Sequence, residues 1–186
     1  MDIPWGSDGA KKFVTNVGLI TSTGPFGDNI MAAEWTHHVS YSPALIAVCL
    51  HEMDTTTQNI LKTKEFGVNL AAQDQNVLSS VSGGSHGKDV DKIKVLKDLG
   101  FRFYKGKKIK AFMVEGASLN AECKVIFSKT LGDHVMFVGE VQEVNISEKE
   151  SLIYHGGKYF KAGENIPRPQ QEEMDKIKQL VEKYKK

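Results

Sequence analysis

Residues Ala44 to Leu50, ALIAVCL, form an almost unbroken apolar run containing β-branched side chains. Such a run fits a strand covered on both faces better than an alternating, half-exposed one. Ahead of it, Ile30 to Val39 alternates imperfectly, with Met31, Ala33 and Trp35 on one side and Ala32, Glu34 and Thr36 on the other, and predicts a preceding strand. Behind it come His51, Glu52, Met53 and Asp54, then Thr55-Thr56-Thr57-Gln58. Thr55 and Gln58 stand in the capping-box relation, which predicts a helix over about residues 55–64 with its first backbone N–H groups facing outward. A helix start with open N–H groups and several hydroxyls is a natural seat for a phosphate. The whole stretch from Asn29 to Asn59 therefore reads as two strands and a helix built around an anion seat.

At 186 residues and 20.6 kDa the chain fits one domain over residues 1–165, followed by a helical tail over 166–186. A net charge of +1, with Lys and Glu scattered, gives no reason to expect a nucleic acid or a membrane surface as partner. The one basic cluster is Lys105, Lys107, Lys108 and Lys110 around Gly106; it reads as a solvated loop or as an anion-steering patch. Cys49 and Cys123 both fall inside apolar strand patterns, where a free thiol behaves as a small hydrophobe. They make neither a disulfide framework nor a metal-ligand spacing. The start, MDIPWGSDG, lacks the basic-then-apolar pattern of a signal peptide, so a cytoplasmic location is expected. The sequon Asn145-Ile146-Ser147 then carries no meaning.

Along the chain, Thr15–Thr23 predicts a strand that a turn at Gly24–Asp28 joins to the next one. Phe66–Leu70 is a short strand, Asp74–Ser82 is helical, and Ser82–Asp89 is the most flexible-looking piece. Val90, Ile93, Leu96 and Leu99 repeat at helical spacing, with Gly100 as a C-cap. Leu119 to Phe127 alternates as a half-buried strand, and a hairpin connection at Leu131–His134 leads to its partner, Val135–Ile146. The terminal helix carries a stripe of Met174, Ile177, Val181 and Tyr184 that packs on its own domain or on a sister subunit. Many strands, few helices and no regular βα alternation argue for an antiparallel β-barrel decorated by peripheral helices.

Familiar active sites are missing. There is no dinucleotide or P-loop glycine motif, and the position four after His51 is Thr55, so a zinc-protease helix lacks its second ligand. Adjacent His37 and His38 point to opposite faces of a regular strand and cannot chelate together. No G-x-S-x-G elbow occurs, and no metal site is expected. A chain without a catalytic side-chain set borrows its chemistry from a cofactor. The small Ala32 and Ala33 admit either a planar ligand or a close core contact.

The order of features resembles the flavin reductase family, the FMN-binding split barrels, and in particular its flavoredoxin-like and archaeal members. It runs from VGLITST through Asn29, Ala32 and Trp35 to Ser40-x-x-Pro43-x-x-Ile-Ala-Val-x-Leu50, then Asp54, Thr56, Asn59 and Ile60. EFGVNL follows, then Gly132-Asp133-His134 before FVGEV, and Gly156-Gly157-Lys158-Tyr159. The likeness covers about residues 13–162. It implies a mainly β fold, a six-stranded antiparallel Greek-key split β-barrel, working as a homodimer with FMN near the interface.

By the same resemblance, the flavin ring edge maps to Asn29, Met31, Ala32, Ala33, Glu34, Trp35 and Thr36, with Leu50 beneath. The phosphate maps to Thr55, Thr56, Thr57 and Asn59, with Ser82, Gly83 and Lys88 as further contacts, although Lys88 equally fits a surface charge. NADH or NADPH is the implied donor and a small molecule the acceptor. His134 is implied on the substrate face with Tyr154, Gly156, Gly157 and Tyr159; on its residues alone His134 equally well ends a hairpin. Glu34 is expected to turn away from the ring, where its charge would oppose a reduced, anionic flavin. The implied activity is flavin-mediated oxidation of NAD(P)H; the alternative is an FMN electron carrier without efficient NAD(P)H oxidation.

Overall fold

The structure is a computed structural model that describes residues 2–185. A short 3-10 turn at Ala10–Lys12 precedes strands β1 (Val14–Asn16), β2 (Gly18–Gly24), β3 (Gly27–Ala33), β4 (Thr36–Tyr41) and β5 (Ala44–His51). Helix α1 (Thr55–Thr63) leads to β6 (Glu65–Leu70), and helices α2 (Asn76–Gly84) and α3 (Lys92–Asp98) follow. Strands β7 (Phe103–Lys105), β8 (Phe112–Val114), β9 (Leu119–Leu131), β10 (His134–Ile146), β11 (Ile153–His155) and β12 (Lys158–Phe160) precede the last helix, α4 (Gln171–Lys183).

The main sheet has the order β3-β2-β6-β9-β10-β5-β4, antiparallel throughout. Its two outermost strands are neighbours in sequence, separated by Glu34 and Trp35 alone. The stretch expected as one strand over Ile30–Val39 is thus one strand bent sharply at Glu34–Trp35, where the Trp35 carbonyl accepts from the Cys49 N–H at 3.0 Å. Its first half pairs with β2 and its second with β5, so the bend closes the sheet into a six-stranded barrel. Each half of the bent strand pairs on one side only, so the barrel is split at this strand. Gly18 makes the bend possible: a Cβ there would collide with the Thr36 side chain crossing above it. The connection from β5 to β6 crosses the barrel instead of pairing, which makes the topology a Greek key. Helix α1 fills that crossing, with Ile60 buried among Ile20, Val48, Leu50, Phe66, Val68 and Phe137 in the barrel core.

Period-two alternation then builds a second core outside the wall. Ile20 faces inward while Leu19 faces a cluster with Ile30, Leu78, Ile93 and Leu96, where α2 and α3 pack. Each such buried aliphatic side chain contributes about 1.5–3 kcal/mol.

Three expectations are corrected. On β5 Val48 and Leu50 are buried, but Leu45, Ala47 and Cys49 on the outer face are half-exposed, because nothing in the single chain covers them. The capping box does not form: Asp54 is the N-cap of α1, and the Gln58 side chain donates to the Glu52 carbonyl at 2.7 Å. Of the polar positions of β9, Lys124 is solvated but Asn120 and Glu122 are both buried. Glu122 accepts from the backbone N–H groups of Lys107 (2.9 Å), Lys108 (2.6 Å) and Ile109 (3.2 Å). The basic loop therefore folds around the chain's own carboxylate. No helix among the described residues is long and apolar enough to cross a membrane.

Candidate functional site

A cavity of about 430 Å³ lies where β3, the turn before α1 and the C-terminal end of α2 converge. Its walls include Asn29, Met31 and Ala32 from β3, His51, Asp54 and Thr55 from the turn, and Ser82 to Gly87 with Lys92 from the α2–α3 segment. Small residues keep it open. A Cβ built on Gly83 would come within 3.3 Å of the Ala32 Cβ, and one on Gly87 would run into the Asn29 amide. Backbone and methyl groups therefore stand where a larger side chain would fill the space a flat ligand needs.

The strongest electrostatic feature is Lys92, 3 % exposed at the start of α3. Its Nζ donates to the Ser82 carbonyl at 3.0 Å and to the Ser85 carbonyl at 3.2 Å. An ammonium has three donors, so one remains for a ligand in the cavity it lines. Burial pushes the Lys92 pKa down to about 8, and the nearby Asp54 carboxylate offsets part of that shift. An anion bound here would restore the charge that burial disfavours.

A second compartment of about 420 Å³ shares Ala32, Gly83 and Gly84 with the first. Its far wall holds Trp5, Asn16, Glu34, Tyr154 and Tyr159. The Trp5 indole N–H donates to Glu34 Oε1 at 3.5 Å, and the Tyr159 hydroxyl donates to Ser79 Oγ at 3.0 Å. Burial, reinforced by the Glu34 charge, pushes the Tyr154 phenol above its ordinary value. Gly156 and Gly157 line a shallower depression next to it, against Trp5, Glu34 and Tyr154.

His134 sits elsewhere. At the start of β10 its Nδ1 meets Asp133 Oδ1 at 2.7 Å, and its ring lies 4.5 Å from that of Trp35 and 5.6 Å, edge-on, from that of His51. The bond to His134 holds the Asp133 carboxyl below its ordinary range. His51, not His134, reaches the wall of the first cavity. The proposed substrate face is thus two places, one at His134 and Trp35 and one at Tyr154 and Tyr159.

Of the ring-edge and phosphate residues, the first cavity gathers Asn29, Met31, Ala32, Thr55, Ser82 and Gly83. Ala33 and Glu34 line the second compartment, while Trp35 and Thr36 line an exposed depression on the barrel's outer face. Leu50 is a core residue inside the barrel. Thr56 and Thr57 are fully buried: the Thr56 hydroxyl accepts from Asn29 Nδ2 at 2.8 Å, and that of Thr57 donates to the His51 carbonyl at 2.8 Å. Asn59 is also buried, and it ties α1 to the β2–β3 turn through Ser22, Phe26 and Gly27. Lys88 lines a separate depression beside Phe26 and Lys94. Lys92, not Lys88, is the lysine at the wall of the first cavity. No local pattern singled it out: it lies off the Val90, Ile93, Leu96 and Leu99 stripe, and its burial comes from the Ser82–Ser85 segment whose carbonyls it meets.

Comparison with known proteins agrees with this geometry. An uncharacterized protein of Pyrococcus abyssi is 30 % identical over 130 residues, covering 70 % of this chain and 71 % of its own length. An NADH-dependent flavin reductase of a Rhodococcus species is 25 % identical over 152 residues, 80 % of each chain. The solved structure of flavin reductase PheA2 superposes with a TM-score of 0.73 at 29 % identity, over 88 % of this chain and all of that one. Residues 10–163 match the model of the flavin reductase like domain, and with the split-barrel fold described above the chain belongs to that family.

Proposed function

We propose that this flavin reductase-like oxidoreductase uses FMN and takes reducing equivalents from NADH or NADPH, passing them to a small-molecule acceptor. The observation that carries the cofactor choice is Lys92: one buried ammonium with one donor to spare, in a cavity of about 430 Å³ walled by small residues. One cation suits one terminal phosphate. The FMN, when bound, supplies the hydride-accepting and electron-donating chemistry.

The chain's own residues bind and orient. Lys92 and Thr55, with the first turn of α1, are the groups that would hold the phosphate. Asn29 is anchored through Thr56, which fixes one wall. Ala32 and Gly83 leave the approach to a planar ring open. His134, oriented by Asp133, packs its imidazole at a 43° tilt against the Trp35 ring.

A homodimer is part of the proposal. Exposed apolar side chains gather along β4 and the bend before it, on the β5 side of the barrel: Trp35 at 55 % and Tyr41 at 88 % exposure, with Val39 exposed between them in the chain. A second copy covering that face would also bury the outer side chains of β5.

Anaerobic mixing of the FMN-loaded protein with NADH and with NADPH tests the reading. Bleaching of the flavin absorbance within the turnover time is the expected result, and the faster donor names the preferred nucleotide. A flavin band that persists with both donors would leave an electron carrier.

A further inference from the structure

Helix α4 lies outside residues 10–163, which match the family's domain, and it buries none of its residues. It spans 13 residues, a length at which a helix without packing is marginal in water. Its sequence follows one heptad. Met174 and Val181 fall at the a positions and Ile177 and Tyr184 at d, while b, c and f hold only Asp175, Lys176, Gln179, Glu182 and Lys183. Leu180, at g, widens the apolar seam. Ile177, Val181 and Tyr184 are all exposed, so the seam is uncovered among the described residues.

We infer that α4 pairs with α4 of a second copy of this chain as a parallel two-stranded coiled coil. The charges beside the seam choose that occupant. Glu173 stands at g and Lys178 at the following e. In parallel, in-register helices g of one chain faces that e of the other, so Glu173 meets the partner's Lys178 and the symmetric pair forms across the seam. Antiparallel helices would instead set Lys178 against the partner's Lys178. Within one helix Lys178 pairs with Asp175 at 3.6 Å, an exposed contact of little worth that it can give up. Residues 161–170 are extended and exposed, and ten such residues reach up to about 33 Å, enough for two helices to leave a dimer and meet. Two heptads associate weakly alone, but on a dimer the tether makes their encounter intramolecular. The inference therefore rests on the dimer proposed above and adds a contact that the barrel does not supply.

Thiol cross-linking of the full chain tests it. Cys49→Ala removes the half-exposed native thiol and leaves Cys123 buried. In that background Ile177→Cys places a thiol at d, where a parallel pair brings the two copies together, and Gln179→Cys places one at f, on the far side. A mild thiol oxidant should link the Ile177→Cys chain into a covalent dimer, and the Gln179→Cys chain at least ~10-fold more slowly, because its thiols lie beyond disulfide reach. Adding Lys178→Glu to Ile177→Cys should slow linking by roughly 5-fold, as two attractions between the chains become repulsions, and adding Glu173→Lys to both should restore it. These positions lie outside the barrel, so circular dichroism should show it retained. Sedimentation velocity of the wild-type chain separates the two readings. A monomer overturns the dimer and the coiled coil together. A dimer in which Ile177→Cys links no faster than Gln179→Cys, or in which the charge variants fail to slow and then restore the rate, overturns the coiled coil alone.

Discussion

Burying Lys92 costs stability, a cost that the phosphate proposed to bind beside it would offset. Its pKa is lowered from 10.5 to about 8 by burial, so between those values the unfolded chain holds a proton that the folded chain has released. Stability of the ligand-free protein should therefore rise with pH across that window, because folding there is linked to proton release. Phosphate has the opposite effect, since it favours the ammonium. Above pH 7 the phosphate is already close to a dianion. FMN affinity should accordingly fall by roughly 10-fold as pH rises through about 8, as Lys92 loses the charge on which its hydrogen bond depends. Lys92→Met should weaken FMN by at least roughly 10-fold at pH 7 and abolish that pH step. Fluorescence titration of FMN across pH reads both; a step that survives in Lys92→Met would remove the lysine from the site.

Among elements, α1 is held less by its cap than by Asn59. The buried amide accepts from the Phe26 N–H at 3.1 Å and donates to the Gly27 carbonyl at 2.8 Å and to Ser22 Oγ at 3.1 Å. A Cβ on Gly24 would strike the same side chain, so the hairpin turn is shaped around it. Asn59→Ala removes all three bonds, one to the buried Ser22 and two to the turn at Phe26 and Gly27, and should destabilise the protein by about 2–4 kcal/mol. Urea unfolding measures the loss; an unchanged midpoint would show that water replaces the amide without cost. Thr56→Ala should loosen Asn29 instead, through the loss of the 2.8 Å bond between them. The loop over Lys105–Lys110 follows a related logic. Its backbone N–H groups converge on Glu122, so the structural reading of this basic cluster rests on main-chain geometry, with Lys107 adding an exposed ion pair to Glu143 at 2.6 Å.

For the molecule as a whole, Trp35, Val39 and Tyr41 are exposed apolar side chains beside the half-exposed outer residues of β5. An exposed apolar patch is where an interaction surface forms. Tyr41→Asp with Val39→Asp places two charges on it and should shift a dimer to monomer in sedimentation velocity, with the barrel retained by circular dichroism. A wild-type chain that already sediments as a monomer would end the dimer proposal. Helix α4 lies beyond the extended residues 161–170 and buries none of its residues. Its apolar stripe of Ile177, Leu180, Val181 and Tyr184 remains exposed.

The sequence by itself determined the elements whose signals are local: β5 and β6 from apolar runs, α3 from helical spacing, α1 from the hydroxyl-rich start after Asp54, and the β9–β10 hairpin from alternation around Gly132-Asp133. The wall at Asn29–Ala32 came from the family resemblance, since the small Ala32 and Ala33 by themselves left a ligand and a core contact equally open; Ala33 lies in the barrel core and Ala32 at the first cavity. Only the tertiary structure decided which polar residues face the first cavity and which are ties. Asn59, Thr56 and Thr57 look like an anion seat in one dimension, but long-range hydrogen bonds to β2, β3 and the end of β5 use up their side chains. Lys92 and Lys88 are equal lysines in the sequence, and their difference lies in burial, which no local pattern fixes when the covering segment is a loop. The bend at Glu34–Trp35 is the same kind of fact. It exists because closing a barrel requires one strand to pair on both sides, and that requirement turns Glu34 towards Trp5 and Tyr154 while Trp35 meets His134.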